Sequence, residues 1–292
     1  MNNKMKTVLI GIVLVLSLVA AGCAGQDEGP AEEEAVEVRL GDPGWDDSRA
    51  NTQVFKQIIE STGEYEVEIV KADVGAIYQG VSQGDLDAYI SAWLPLTQAP
   101  YVEKYGDDLD YVGNISSGAR CGLVVPSYVT IDSIDELADH SEEFNGEIQG
   151  IEPGAGIMQN CEGAIETYGL DYQLNAASTP AMATVLQDAI DNEEWIVVTL
   201  WTPHWTFGRM DLKYLDDPEM AFGEAENLAI VARSDLSEEN PELHTLMANF
   251  HMDISDVAAI MVDIDAGMTP EEAAAAWLEV HPEKYDEVLG TA

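Results

Sequence analysis

Ser91-Ala92-Trp93-Leu94-Pro95-Leu96-Thr97 and Leu200-Trp201-Thr202-Pro203-His204-Trp205 are two apolar runs that stop at a Trp with a Pro two places on. A third run, Leu40-Gly41-Asp42-Pro43-Gly44-Trp45, follows the same plan. Pro has no N–H for a ladder and cannot continue a central strand. The pattern therefore predicts three strands that end at one edge of a sheet, each with an indole at or just past its end. A quaternary ammonium has no hydrogen to donate, but the negative face of an indole attracts it. Three gathered indoles predict a site for a small methylated cation or zwitterion.

Outward from these runs, strand and helix patterns alternate. Val36 to Leu40, Tyr65 to Ala72, Ala88 to Trp93, Cys121 to Val125, Glu147 to Ile151, Trp195 to Leu200 and Leu228 to Ala232 read as strands. Between them lie helical patterns, such as Asp47 to Ser61 with Val54, Phe55, Ile58 and Ile59 on one face and Gly63 as its stop. Ser133 with Glu136, and Thr269 with Pro270 and Glu272, read as capping boxes. Alternation of this kind predicts an α/β protein with mostly parallel strands. The strands cluster in 36–93 and 121–232, which suggests two lobes with a crossover near Gly113–Gly122.

Ligands of open α/β sheets bind at the carboxyl ends of strands. Trp45, Trp93 and Trp201 fall there, and so does Pro153-Gly154-Ala155-Gly156-Ile157, a glycine-rich loop that opens a helix. Free backbone N–H groups at such a helix start suit an anion. The loop holds no Lys or Arg, so a carboxylate fits it better than a dinucleotide phosphate. Trp195 and Trp277 are assigned to the core, and Tyr78, Tyr89 and Tyr101 to packing. Trp205 belongs either to the aromatic wall or to the packing behind it. His204 is expected to hydrogen-bond and shape its turn, since no Ser, Cys or carboxylate stands at a recognisable nucleophile spacing from it.

The chain has 292 residues, of which 46% are hydrophobic, enough for a large core. Lys plus Arg is 12 and Asp plus Glu is 55, a net charge of −43. That excludes nucleic acid as a partner, because phosphate binding needs basic surface. An imbalance this large repels itself unless salt screens it, the Debye length falling to ~3 Å at 1 M. A salt-loving source follows. No Cys-x-x-Cys or His-x-x-x-His spacing occurs, so neither a metal site nor a cofactor is expected.

Residues 1–22 read as an export signal, with Lys4 and Lys6 before the apolar run Val8 to Ala21. Ala21-Gly22-Cys23 resembles a lipobox, with Ala20 where Leu is usual, and makes Cys23 the expected lipidation site. The alternative is a plain signal peptide with an incidental Cys. Residues 23–35, rich in Glu, Gly and Pro, read as a flexible tether. Cys121 and Cys161 are either a disulfide, which export permits, or two small buried hydrophobes.

Five stretches together resemble the substrate-binding proteins of glycine betaine/proline betaine/choline/carnitine ABC transporters. They are Ala92 to Thr97, Gly122 to Tyr128, Gly150 to Met158, Trp201 to Trp205 and Asp211 to Pro218. The resemblance implies a two-lobed periplasmic-binding-protein fold (type II-like) with the ligand in the cleft. Lobe 1 would comprise 36–118 plus about 233–292, and lobe 2 would comprise 119–232. It implies an aromatic cage of Trp45, Trp93 and Trp201, and backbone donors to a carboxylate at Gly156 and Ile157. Close relatives place a His after the Trp-Leu-Pro-x-Thr segment; here the position is Gln98, whose amide can donate but not charge. With His204 and Trp205, these make up the expected ligand-binding set.

The function so implied is an extracytoplasmic receptor, anchored to the outer face of the membrane. It would capture glycine betaine or proline betaine as an osmoprotectant and pass it to a permease and its ATPase, with no chemistry on the ligand. The alternatives are a choline or carnitine receptor of the same fold, and an exported enzyme of choline metabolism using His204.

Overall fold

The computed structural model describes residues 35–291. The export signal, Cys23 and all of the tether but Ala35 lie outside the described residues.

The first part of the chain runs β1 (Val36–Asp42), α1 (Asp46–Glu60), β2 (Tyr65–Lys71), α2 (Val74–Gln83), β3 (Ala88–Leu94), α3 (Ala99–Tyr105) and β4 (Leu109–Pro126). The middle part is β5 (Glu147–Gln149), α4 (Gly156–Tyr168), β6 (Gln173–Asn175), α5 (Thr179–Asp191), β7 (Val198–Thr202), α6 (Thr206–Arg209), β8 (Leu212–Tyr214) and β9 (Glu226–Arg233). Five helices follow: α7 (Leu236–Glu239), α8 (Pro241–Asn249), α9 (Ile254–Asp265), α10 (Pro270–Val280) and α11 (Glu283–Leu289).

The strands order as β2-β1-β3-β9-β4-β7-β5-β6, with β8 paired to β4. β4 carries the two-lobed plan. Its first half, Leu109 to Ala119, pairs antiparallel with β9, which pairs in turn with β3. Its second half pairs with β7 over Arg120–Val124 and with β8 over Val124–Pro126. One strand group, β2-β1-β3-β9, thus hangs on the start of β4 and another, β7-β5-β6, on its end. No helix among the described residues is long and apolar enough to cross a membrane.

The expectation of mostly parallel strands needs correction. β1–β2, β1–β3, β5–β6 and β5–β7 are parallel, but every pairing of β4 and β9 is antiparallel. The polar first half of β4, Asp110 to Gly118, does not read as a strand. It pairs because register shifts at Tyr111/Gly113, Asn114/Ser116 and Ser117/Ala119 absorb its irregularity.

Burial explains the rest of the core. Ala88 to Trp93 of β3 are buried without alternation, as expected of a strand covered on both faces. Val54, Phe55, Ile58 and Ile59 of α1 are fully buried, and α1 packs against α9 and α10. Thr269 caps α10 as its sequence predicts: its hydroxyl accepts from Glu272 N at 3.1 Å, and its own N–H reaches Glu272 Oε2 at 2.9 Å. Ser133 does not cap its segment. Ile134–His140 is a 3-10 turn, and the Ser133 hydroxyl goes to Asp135 and to the Asp216 carbonyl instead.

Candidate ligand site

The carboxyl ends of β1, β3 and β7 and the amino end of α4 converge on one small cavity. Its wall is made by Trp45, Trp93 and Trp201, by Thr97, Gln98 and Cys121, and by Ile151, Ala155, Gly156 and Ile157. Trp45 precedes α1, Trp93 lies in β3 and Trp201 in β7. The three indoles therefore reach the cavity from both strand groups. All three are buried, and among the described residues no Lys, Arg, Asp or Glu lies on this wall.

The indole N–H groups are held differently. Trp93 Nε1 donates to Asp47 Oδ2 at 3.1 Å. Trp45 Nε1 and Trp201 Nε1 are buried without an acceptor among the described residues. Both Trp-x-Pro turns carry a cis peptide, at Leu94–Pro95 and Thr202–Pro203. The first turn is held by buried Glu226, which accepts from Leu96 N at 2.7 Å, from Thr97 N at 2.9 Å and from the Thr97 hydroxyl.

The chain enters α4 at the same cavity. Gly154 takes φ +90°, open to glycine, and Ala155 sits ahead of the first turn in extended geometry. Met158 N–H turns back to Ala155 O at 3.0 Å. The N–H groups of Gly156 and Ile157 precede the first intrahelical bond and have no acceptor in the helix. Both residues are on the cavity wall. The fold thus offers two backbone donors and the positive end of a 13-residue helix to whatever enters.

Gln98 is wholly buried on the same wall. Its Oε1 accepts from the Tyr78 hydroxyl at 2.9 Å and from Trp93 N at 3.2 Å. That fixes the orientation of the amide and leaves Nε2 without an acceptor among the described residues.

His204 and Trp205 are not on the wall. The His204 ring stands edge-on to Trp201, with centroids 4.7 Å apart, and lies 5.4 Å from the Trp205 ring. Its Nδ1 accepts from Thr206 N at 3.3 Å, and burial pushes its pKa down to about 3, so it is a neutral spacer behind Trp201. Trp205 Nε1 donates to Asp46 Oδ2 at 3.1 Å.

Thr97, Cys121, Ile151 and Ala155 also line the cavity, beyond the ligand-binding set that the sequence implies. Thr97 and Ala155 sit inside the quoted stretches; the strand patterns of Cys121 and Ile151 carry no mark of a wall. Cys121 and Cys161 are both buried free thiols, so the disulfide alternative falls away.

Comparison with known proteins bears on this geometry. Residues 36–280 match the substrate-binding domain of ABC-type glycine betaine transport systems. The chain belongs to that family. The glycine betaine/carnitine transport binding protein GbuC of Listeria monocytogenes is 40% identical over 169 residues, which is 57% of this chain and 54% of that one. The match therefore spans about half of that relative's length. The solved structure of lactococcal OpuAC, closed on glycine betaine, superposes with a TM-score of 0.84 at 38% identity, covering 87% of this chain and 99% of that one. A choline-binding protein of an ABC transporter, in complex with choline, superposes at 0.82 with 26% identity over 88% of this chain and 92% of that one. The betaine-family substrate-binding protein described here therefore has the two-lobed fold that its sequence predicts.

Proposed function

We propose that this protein captures glycine betaine, or the related proline betaine, outside the cell and delivers it to a permease. One observation carries the reading: three indoles and two free helix-start amides line the same small cavity. In this reading the trimethylammonium group lies among Trp45, Trp93 and Trp201, and the carboxylate meets the N–H groups of Gly156 and Ile157, with Gln98 Nε2 as a further donor. Each desolvated ring contributes about 1–2 kcal/mol, and three give about 3–6. Micromolar affinity needs about −8 kcal/mol, so the carboxylate contacts must supply the remainder. His204 and Trp205 support the cage from behind, and the ligand leaves unchanged.

We infer the membrane anchor, the lobe bounds and the salt-rich setting as well. Cys23 is the lipid attachment site that holds the protein at the outer face of the membrane. The lobes are 36–118 with about 233–292, and 119–232. The acidic surface suits a cell in high salt, which imports a compatible solute against osmotic stress.

A second reading, a choline receptor, is favoured by the close superposition on the choline-bound relative. Choline has no carboxylate and would leave the Gly156 and Ile157 amides without a charged partner. Tryptophan fluorescence of the mature chain in high salt, titrated separately with glycine betaine and choline, decides between the two. Saturation at micromolar glycine betaine with choline far weaker supports the first reading. Saturation with choline alone overturns it.

A further inference from the structure

Two carboxylates that follow Trp45 have no part in the wall, yet each takes an indole N–H. Asp47 is fully buried in the first turn of α1. Its Oδ2 accepts from Trp93 Nε1 and from the Ser91 hydroxyl, both at 3.1 Å, and Asn51 Nδ2 donates to the same hydroxyl at 3.1 Å. Ser91 needs the hold: its φ is +99°, a region that side chains other than glycine rarely adopt, at a register break in β3. One carboxylate thus fixes both the strained residue and the indole two places further along the strand. Among the described residues no Lys or Arg bonds to it, so it is a buried negative charge behind a ring whose neighbours form the cavity wall.

Asp46 works in the other direction. Its Oδ2 accepts from Trp205 Nε1 at 3.1 Å, and its Oδ1 is paired with Arg49 at 3.3 Å. Trp205 backs His204, and His204 backs Trp201. Asp46 belongs to α1, beside the first strand group, while Trp205 lies at the start of α6, after β7 of the second. A second tie runs alongside, since Arg209 of α6 is ion-paired with Asp265 of α9.

We infer that Asp46 and Asp47 are the positioning residues of the cage: Asp47 sets Trp93 within one strand group, and Asp46 sets Trp201 across the cleft through Trp205 and His204. The inference deepens, and rests on, the reading of this cavity as the ligand site. Residues 45–47 then govern all three rings, Trp45 directly and the other two by hydrogen bonds. The two acids act on different quantities. Asp47 presents a charged acceptor to Trp93 whether or not the lobes are closed, so it acts on intrinsic affinity. The Asp46–Trp205 bond spans the cleft and exists only when it is closed, so it acts on ligand release.

Indole N–H resonances give a readout that needs no ligand. The chain has 6 Trp residues and therefore six such signals. With 15N-labelled mature protein, Asp47→Asn is expected to move the Trp93 signal alone. Asp46→Asn, and Trp205→Phe, which keeps a ring but removes the N–H, are expected to move the Trp201 signal. In stopped-flow release of glycine betaine, Asp46→Asn and Trp205→Phe should each speed dissociation about fivefold, and the double variant no more than either single one. Asp47→Asn should raise Kd about tenfold, as a loss of about 1.4 kcal/mol does. A Trp201 signal indifferent to both variants at the Asp46–Trp205 bond, or dissociation rates that multiply in the double variant, would overturn the role of Asp46. An unmoved Trp93 signal in Asp47→Asn would overturn that of Asp47. A wild-type protein deaf to glycine betaine would sink the ligand reading alone, because the resonances still decide the positioning.

Discussion

The Cβ that Gly156 lacks would stand 1.9 Å from the carbonyl oxygen of Thr97. The amino end of α4 and the turn after Trp93 are therefore in backbone contact, and only glycine allows it. A methyl group here cannot be relieved by a side-chain rotation, because the obstacle is main chain. Gly156→Ala should push α4 away from the Thr97–Gln98 turn and displace the two amides from the cavity. The expected result is a loss of stability of about 1–3 kcal/mol with glycine betaine binding reduced at least about tenfold. Gly163, in the same helix with no atom within 4 Å of its would-be Cβ, is the control. Gly163→Ala should stabilise by about 0.5–1 kcal/mol and leave binding alone. Urea unfolding and titration of the two variants side by side check both halves.

The cage and the amides make separable demands on a ligand. Replacing any one of Trp45, Trp93 or Trp201 by Leu removes a ring face worth about 1–2 kcal/mol, or about 5–30-fold in Kd. That loss should be similar for glycine betaine and for choline, since both carry the same trimethylammonium group. Gly156→Ala, by contrast, should cost glycine betaine far more than any residual choline binding, because only the betaine has a carboxylate to lose. Calorimetric titration of the variants with both ligands gives the comparison. Equal losses for the two ligands in Gly156→Ala would contradict the assignment of the α4 amides to the carboxylate.

Much of this architecture can be read before any coordinates, and the failures have physical causes. Trp45, Trp93, Trp201, Gly156 and Ile157 could be named as neighbours because each stands at a strand end or a helix start, where an α/β fold gathers its loops. Thr269 could be named as a cap because its whole box is local in sequence. Ser133 has the same local pattern, but Asp216 offers its carbonyl from 83 residues away and wins the hydroxyl. The first half of β4 is hidden by Asn114, Ser116, Ser117 and Gly118, residues that read as loop until β9 supplies the pairing. Asp46 and Asp47 look like one more acidic pair on an acidic surface. Nothing in a single sequence says that their oxygens are consumed by indoles at positions 93 and 205.

Burial raises the Asp47 carboxyl from 3.8 to about 6, against the lowering effect of the hydrogen bonds from Trp93 and Ser91. Asp46 beside it adds to the rise, and no cation is among the causes. Below pH 3.8 the group is protonated in the folded and the unfolded chain alike. Between 3.8 and about 6 the folded state holds a proton that the unfolded chain releases, so stability falls as pH rises through that window. The full loss is about 3 kcal/mol, at 1.36 kcal/mol per unit. Asp47→Asn removes this dependence, so its stability relative to wild type should rise between pH 4 and pH 8. Binding runs the opposite way. A cation beyond the Trp93 ring favours the charged carboxylate, so glycine betaine affinity should weaken as pH drops below about 6 in wild type and stay flat in Asp47→Asn. Guanidinium unfolding and ligand titration across this range test the two slopes, and a binding profile identical in both proteins would refute the second.

Glu226 holds the turn that brings Thr97 and Gln98 to the cavity. Its Oε2 accepts two backbone N–H groups and its Oε1 the Thr97 hydroxyl, all within a buried corner at the start of β9. The graded pair of variants separates charge from geometry. Glu226→Gln keeps one carbonyl oxygen for the two N–H groups and presents an NH2 to the Thr97 oxygen, which can accept. The loss is then the charge assistance, about 1–2 kcal/mol. Glu226→Ala leaves the buried Thr97 N–H and the part-buried Leu96 N–H without a partner and should cost about 2–4 kcal/mol. Because the turn also carries Gln98, whose Oε1 is tied back to Trp93 N, its loosening should weaken binding in the same order, Ala more than Gln. Unfolding and titration of both variants would show that order. A Gln variant as weak as the Ala variant would mean that the negative charge, rather than the acceptor geometry, keeps this wall of the cavity in place.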